Sequence, residues 1–299
     1  MGDGLNRILQ GDNLKALRKM ETGSAALIYI DPPFNTGHRQ SRLRMKAVRD
    51  EAGDRVGFGG RRYKTQLVAP AKGTRGKTAG YADQFDDFLG FLRPRLVEAY
   101  RVLAPTGSLF FHIDYREAHY CKVMLDEIFE QKDEEGNSLG RTSGRECFQN
   151  EIIWAYDYGA RSTKRWPAKH DNILWYTRDP KRYTFNLDVC DRIPYMAPGL
   201  VGAKKAARGK TPTDVWWHTI VPTNGKEKTG YATQKPLGIM ERIVRVHSNP
   251  GDLVLDFFAG SGTTGEAAAK NDRQFCLVDE SREAIAVMEK RLQIKAKRV

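Results

Sequence analysis

The chain has 299 residues, 40% of them hydrophobic, and a formal net charge of +12 at pH 7. That length fits one substantial α/β domain with a large insertion better than two independent cores. No apolar run is long enough to span a membrane and no signal-peptide pattern opens the chain, so a cytoplasmic location is expected.

Taken in chain order, 13–20 reads as a helix. Ala25-Ala26-Leu27-Ile28-Tyr29-Ile30 reads as a buried strand, and Asp31-Pro32-Pro33-Phe34 leaves it. Two prolines fix an extended, rigid exit and remove two amide donors. The Asp31 carboxylate and the Pro32 carbonyl are then held as acceptors beside the Phe34 ring. Two acceptors and a ring face match an exocyclic base amine, although Asp-Pro-Pro also makes an ordinary strand-terminating turn.

Between His38 and Gly80, twelve basic residues face three acidic ones, a net of +9, so most of the excess charge follows this motif directly. Arg39, Arg42, Arg44, Arg61, Arg62 and Lys64 belong to this stretch. Glycine-rich and poor in apolar periodicity, it reads as a loop that orders on a polyanion, or as a solvated loop that aids solubility. Helical spacing then returns over 84–103 and 115–130. Asp114 followed by Glu117 reads as a helix cap with a reciprocal partner rather than as catalytic.

From about Asp179 to Gly230 lies a variable region with Lys204 and Lys205 in a basic cluster and Trp216-Trp217-His218 after it. The tryptophan pair reads equally as packing for a small subdomain or as a contact surface. Helices are expected over 235–248, 263–271 and 281–296, and strands over 252–258 and 274–279. The strand Leu253-Val254-Leu255 runs into Asp256-Phe257-Phe258-Ala259-Gly260-Ser261-Gly262, where Gly260 and Gly262 let backbone approach a ligand at a helix opening near Thr263. A P-loop is excluded, because Glu266 stands where phosphate chemistry needs Lys. Asp279 follows Gly262 at the distance expected of an acidic residue on a ribose, so the unit looks built for a nucleoside-bearing cofactor. From this segment alone a dinucleotide site and an unliganded turn both stay open. Cys121, Cys147, Cys190 and Cys276 are far apart without metal-ligand spacing, which reads as reduced thiols and no metal site.

The motifs Asp31-Pro32-Pro33-Phe34-Asn35-Thr36-Gly37, Tyr231-Ala232-Thr233-Gln234-Lys235-Pro236 and Asp256 through Gly265, in that order, resemble those of the β class of S-adenosylmethionine-dependent DNA amino-methyltransferases. The likeness is to Type III modification subunits and their solitary relatives. It implies a Rossmann-like methyltransferase fold, circularly permuted, with 8–12 as its third strand, 25–30 the fourth, 107–113 the fifth, 151–156 the sixth and 170–177 the seventh. The first and second strands would come last, at 252–258 and 274–279. It implies one domain over 1–299, a basic insertion over 38–80 and a target-recognition region over 179–230.

The resemblance further implies S-adenosylmethionine as cofactor. Gly260, Gly262 and Thr263 would hold its methionine portion, Asp279 its ribose and Lys235 its carboxylate, with Asp256, Phe258, Tyr29 and Ile30 lining the pocket. Asp31, Pro32, Pro33 and Phe34 would act on a flipped adenine amine in double-stranded DNA, with cytosine N4 as the alternative target. A homodimer and a restriction subunit follow from the same likeness, and the shortness of 179–230 counts against the latter.

Overall fold

The computed structural model describes residues 6–34, 38–41, 45–52, 55–56, 62–67, 80–83, 85–131, 137, 141–158, 162–222 and 225–299. Their elements run β1 (Arg7–Gln10), α1 (Asn13–Arg18), β2 (Ala25–Ile30), β3 (His38–Ser41), β4 (Met45–Arg49), β5 (Arg55–Val56), β6 (Arg62–Leu67) and β7 (Gly80–Asp83). They continue with α2 (Phe88–Val102), β8 (Leu103–Ile113), α3 (Ala118–Ile128), α4 (Arg141–Glu146), β9 (Phe148–Ala155), β10 (His170–Thr177), α5 (Ala203–Arg208) and β11 (Val215–Trp217). The last are α6 (Leu237–His247), β12 (Leu253–Asp256), α7 (Thr263–Lys270), β13 (Gln274–Asp279), α8 (Arg282–Leu292) and β14 (Lys297–Arg298). Contacts separate two compact units, Met1–Asn35 with Phe85–Val299, and Thr36–Gln84.

The larger unit is built on a nine-stranded sheet in the order β11-β9-β10-β8-β2-β12-β13-β1-β14. With the strands numbered as the resemblance implies, its seven inner members read sixth, seventh, fifth, fourth, first, second, third. The permuted order is therefore the observed one. Pairing is parallel throughout except where β10 runs antiparallel to both β8 and β9. That reversal brings the start of β10 to the edge where β2 and β8 end, since Asn172 pairs with Ile113 and Ile30 with Phe111.

Alternation along the central strands builds a core on each face. Ile28, Ile30, Phe111 and Ile113 pack with Leu17 of α1, Leu92 and Leu96 of α2 and Leu125 of α3. Leu27, Tyr29 and Phe110 pack with Ile239, Met240 and Ile243 of α6, Ala267 of α7 and Met288 of α8. Each aliphatic side chain fully buried this way contributes about 1.5–3 kcal/mol. Helix starts are fixed locally, as Asp12 accepts the Lys15 amide and Asp87 the Gly90 amide, both at 2.8 Å.

Three expectations change. The Asp114–Glu117 box does not close: α3 starts at Ala118, and Asp114 takes the amide and guanidinium of Arg116 instead. In place of an irregular loop over 38–80, the described residues between His38 and Asp83 form two antiparallel sheets, β3-β7 and β4-β6-β5, within the smaller unit. Strand-forming residues alternate with basic ones in Arg62-Tyr63-Lys64-Thr65, a period of two that a search for helical or buried runs passes over. The 179–230 region returns to the main sheet through β11, which lies parallel to β9. Its tryptophans divide: Trp216 is buried in the α6-side core and Trp217 is exposed.

All four cysteines are free, and burial raises the thiols of Cys121 and Cys147 to about 12. Among the described residues no helix is long and apolar enough to cross a membrane. Nor does any group of three or more His, Cys, Asp or Glu among them form a metal-binding cluster.

Candidate active site

Asp31 leaves the end of β2 and meets Lys235, whose ammonium ion-pairs with its Oδ2. The other oxygen, Oδ1, is buried and has no hydrogen-bond partner among the described residues. It lies 3.9 Å from His112 Nδ1. The Phe34 ring stands 5.6 Å from the His112 ring and 5.0 Å from the Lys235 ammonium. Pro32 is buried and Pro33 half-buried, so the rigid exit is itself packed in place. Asp31, the prolines and Phe34 thus converge as expected, with one acceptor satisfied and one open.

Lys235 is positioned by the turn before α6. Gln234 accepts the Thr229 amide and hydroxyl at 2.8 Å and donates to the Glu227 carbonyl, while Glu227 accepts the Leu237 amide at the helix start. The Lys235 carbonyl in turn accepts the Thr263 hydroxyl at 3.2 Å. Expected at a cofactor carboxylate, Lys235 here occupies Asp31, the nearest anion available to a side chain only 13% exposed.

The glycine loop is held from below. Gly260 and Gly262 both adopt left-handed backbone, with φ of +50° and +74°. Asp279 accepts the Gly260 amide on one oxygen and the Ser281 amide on the other, each at 2.8 Å, so the expected ribose ligand also ties loop to strand. Burial raises its pKa despite those bonds. Phe258 packs against Phe91 and Phe257. Tyr29 and Ile30, expected to line the cofactor pocket, instead place their side chains in the two cores, Tyr29 on the α6 side and Ile30 on the other. Only their backbone at the strand end remains for a ligand.

Asp256 is interior as well. Its carboxylate accepts the Thr264 hydroxyl at 2.7 Å and the Phe258 amide at 3.0 Å, yet full burial raises its pKa from 3.8 to about 7. The folded state therefore keeps a proton here that the unfolded state gives up at 3.8. The Asp256 contribution is largest below 3.8 and is lost as pH rises towards about 7, at roughly 1.4 kcal/mol per pH unit. Denaturant titrations across that range are expected to show stability falling more steeply with pH in the wild type than in Asp256→Asn; equal slopes would refute the shift.

Several residues at the site carried no local signal. His112, fully buried on β8, meets the Tyr29 hydroxyl at 2.6 Å through Nδ1 and Asp171 at 3.1 Å through Nε2. Asp171 of β10 also accepts the Tyr156 hydroxyl at 3.0 Å. Burial pushes the Asp171 carboxyl up, but the His112 hydrogen bond and charge, Lys235 and Tyr156 outweigh it and hold it below the usual range. Arg291 of α8 reaches the glycine loop, donating to the Ser261 carbonyl and, at 2.9 Å, to the Thr263 hydroxyl. Asn13 of α1 donates to the Phe257 carbonyl at 2.8 Å and is itself held by Arg95. These contacts join positions from 15 to 244 residues apart.

Of the basic residues, Arg62 and Lys64 are exposed on β6, and Lys204 and Lys205 on the short helix α5. Arg39 belongs to β3; Arg42, Arg44 and Arg61 lie outside the described residues.

The permuted sheet, the Asp-Pro-Pro-Phe exit and the glycine loop at one sheet edge define a Rossmann-like methyltransferase. The family model described as DNA methylase, for N6 and N4 enzymes, matches residues 25–290, and the chain belongs to that S-adenosylmethionine-dependent family. It is 29% identical to "Type II methyltransferase M.HpaI" of Haemophilus parainfluenzae over 96% of this chain and 74% of that one. It is 26% identical to "DNA adenine methyltransferase YhdJ" of Escherichia coli K12 over 98% of this chain and 84% of the relative. The fold superposes on the cytosine-N4-specific PvuII DNA methyltransferase with a TM-score of 0.59 at 16% identity, over 95% of this chain and 85% of that one. M.HpaI carries a Type II name, whereas the motifs pointed to Type III subunits and their solitary relatives within the same class.

Proposed function

We propose that the protein methylates the exocyclic N6 amine of an adenine flipped out of double-stranded DNA. The observation that carries this reading is the buried, unpartnered Asp31 Oδ1 beside the Phe34 ring, an open acceptor in a setting that penalises one. An amine hydrogen fills it, and the second can meet the Pro32 carbonyl fixed by the next proline. Both bonds draw the nitrogen lone pair out of the ring, and Phe34 offers a face for the extruded base. S-adenosylmethionine supplies the methyl group when bound. Gly260, Gly262 and Thr263 fit its methionine portion, Asp279 retains lone pairs for ribose hydroxyls, and Lys235 is the cation within reach of its carboxylate. No covalent enzyme intermediate is needed.

Asp as the first motif residue, and a relative named as an adenine methyltransferase, favour adenine. The cytosine-N4 neighbour keeps N4-methylation as the second reading, because the same acceptor pair suits that amine. Arg62, Lys64, Lys204 and Lys205, with Arg39, Arg42, Arg44 and Arg61, supply the phosphate contacts in this reading. A homodimer and a restriction partner rest on the resemblance alone. The test is to incubate the protein with S-adenosylmethionine and unmethylated genomic DNA, digest to nucleosides and measure both products by mass, with Asp31→Ala as control. N6-methyladenine absent from the control supports the reading; N4-methylcytosine replaces it with the second; neither product overturns both.

A further inference from the structure

Methylation of an amine leaves one proton too many on nitrogen, and the described site offers a way out for it. Asp31 Oδ1 is the open acceptor facing that amine in the proposed reaction, and Nδ1 of the fully buried His112 lies 3.9 Å from it. The His112 ring cannot rotate freely. Nε2–H donates to the ionised Asp171 at 3.1 Å, Tyr29 holds Nδ1 at 2.6 Å, and Trp154 and Phe34 pack on the ring. Its tautomer is thereby set, with the Nδ1 lone pair turned toward Tyr29 and Asp31. Asp171 stands where it would stabilise an imidazolium, and Tyr156, half-buried, extends the chain of hydrogen bonds outward.

We infer that His112 is a relay residue that takes the product proton from Asp31 and passes it outward along Asp171 and Tyr156. The inference rests on the methyltransferase reading above. As the N–C bond forms and the C–S bond breaks, the electron pair of the latter leaves with a neutral sulfide. The N–H bond of the cationic product amine then breaks and its proton goes to Asp31 Oδ1. That O–H bond breaks in turn as Nδ1–H forms, either after about 1 Å of approach or with Tyr29 as carrier. Asp31 is then a carboxylate again, and the imidazolium's Nε2–H bond breaks as Asp171 takes that proton, which leaves to water at the Tyr156 end when the base departs. The charged or titratable groups around the imidazole are Tyr29 and Asp31 from the β2 end, Tyr156 from the β9 end, Asp171 from β10 and Lys235 from the turn before α6. Lys235 bears on Asp171 and pairs with Asp31 through Oδ2, which leaves Oδ1 to serve the amine.

The test compares wild type, His112→Asn, His112→Ala and Asp171→Asn as full chains acting on genomic DNA. S-adenosylmethionine affinity by calorimetry reports folding, and rates are taken from about pH 6 to 9. Both His112 variants are expected to keep cofactor Kd within about threefold, with KM for DNA unchanged and kcat down by about 10²-fold. Their kcat should climb with pH more steeply than the wild type's, and added imidazole should restore part of it in His112→Ala. Asp171→Asn should show a smaller loss with the same tilt, and it serves as the test if the His112 variants do not fold. A kcat within twofold of wild type, or a loss with a parallel pH profile and no imidazole rescue, overturns the relay while leaving the methyltransferase reading intact. No methylated base from the wild type overturns the reading itself, and the relay with it.

Discussion

Asp31→Ala is expected to keep cofactor binding within about threefold and to lose methyl transfer by about 10³-fold. Asp31 is the one charged acceptor that the Asp-Pro-Pro-Phe exit aims outward, and its Oδ1 makes no bond in the described structure that the fold would miss. Its Oδ2 does matter to the fold, because it neutralises Lys235, whose side chain is 13% exposed. Removing that partner leaves a partly buried ammonium, but a long flexible stem can carry it to solvent. A thermal midpoint lower by a few degrees, with cooperative unfolding, is the expected structural cost. Asp31→Asn should retain shape and midpoint better and still fail in transfer, since an amide holds no negative charge against the amine. Calorimetric titration with S-adenosylmethionine and mass analysis of digested DNA check both statements. Loss of cofactor binding in a folded Asp31→Ala protein would move Asp31 from the base to the cofactor.

Gly262→Ala is expected to cost about 2–5 kcal/mol of stability, while Gly260→Asp should weaken cofactor binding at least tenfold and destabilise less. The two glycines sit two residues apart, but their missing side chains face different neighbours. A Cβ on Gly262 would stand 2.7 Å from Cγ of the fully buried Met288 and 3.5 Å from Leu277, with φ at +74°, so strain and overpacking add. On Gly260 the nearest atom is Cε1 of the Tyr231 ring, at 3.2 Å. An acidic side chain at 260 adds a second negative charge next to the amide that Asp279 already accepts. Denaturant unfolding and calorimetry separate the effects. If Gly262→Ala unfolds like the wild type but binds no cofactor, its hydrogen atom faces the ligand after all and the packing account is wrong.

That contrast shows how far the motif could be read. Glycines at 260 and 262 imply close approach of something to the backbone; which partner approaches is decided by Met288 on α8 and Tyr231 before α6, neither of which the loop sequence names. The strand sequence was legible because β2, β8, β10, β12 and β13 are apolar runs, and the resemblance supplied the order in which they lie. The insertion was not, because Arg62-Tyr63-Lys64-Thr65 of β6 alternates basic with β-forming residues and the stretch offers no continuous apolar run in sequence. Trp216 and Trp217 could not be told apart until β11 was seen to pair with β9, after which alternation alone puts one in and the other out. His112, Asp171 and Arg291 were invisible for a plainer reason. A lone histidine in a strand, an aspartate at a strand start and an arginine late in a helix are ordinary surface or core residues until the topology brings them to one edge.

One side chain in this site answers to two ligands. In the proposed function Lys235 is shared between Asp31 and a cofactor carboxylate, and its own carbonyl is bonded to Thr263 at the head of α7. A carboxylate that draws the ammonium away uncovers Asp31 for a base, and a base that claims Asp31 releases the ammonium to the carboxylate. On that reading, reciprocity requires any coupling to be mutual: the factor by which bound cofactor changes DNA affinity is the factor by which DNA changes cofactor affinity, with a single lysine as the shared currency of the exchange.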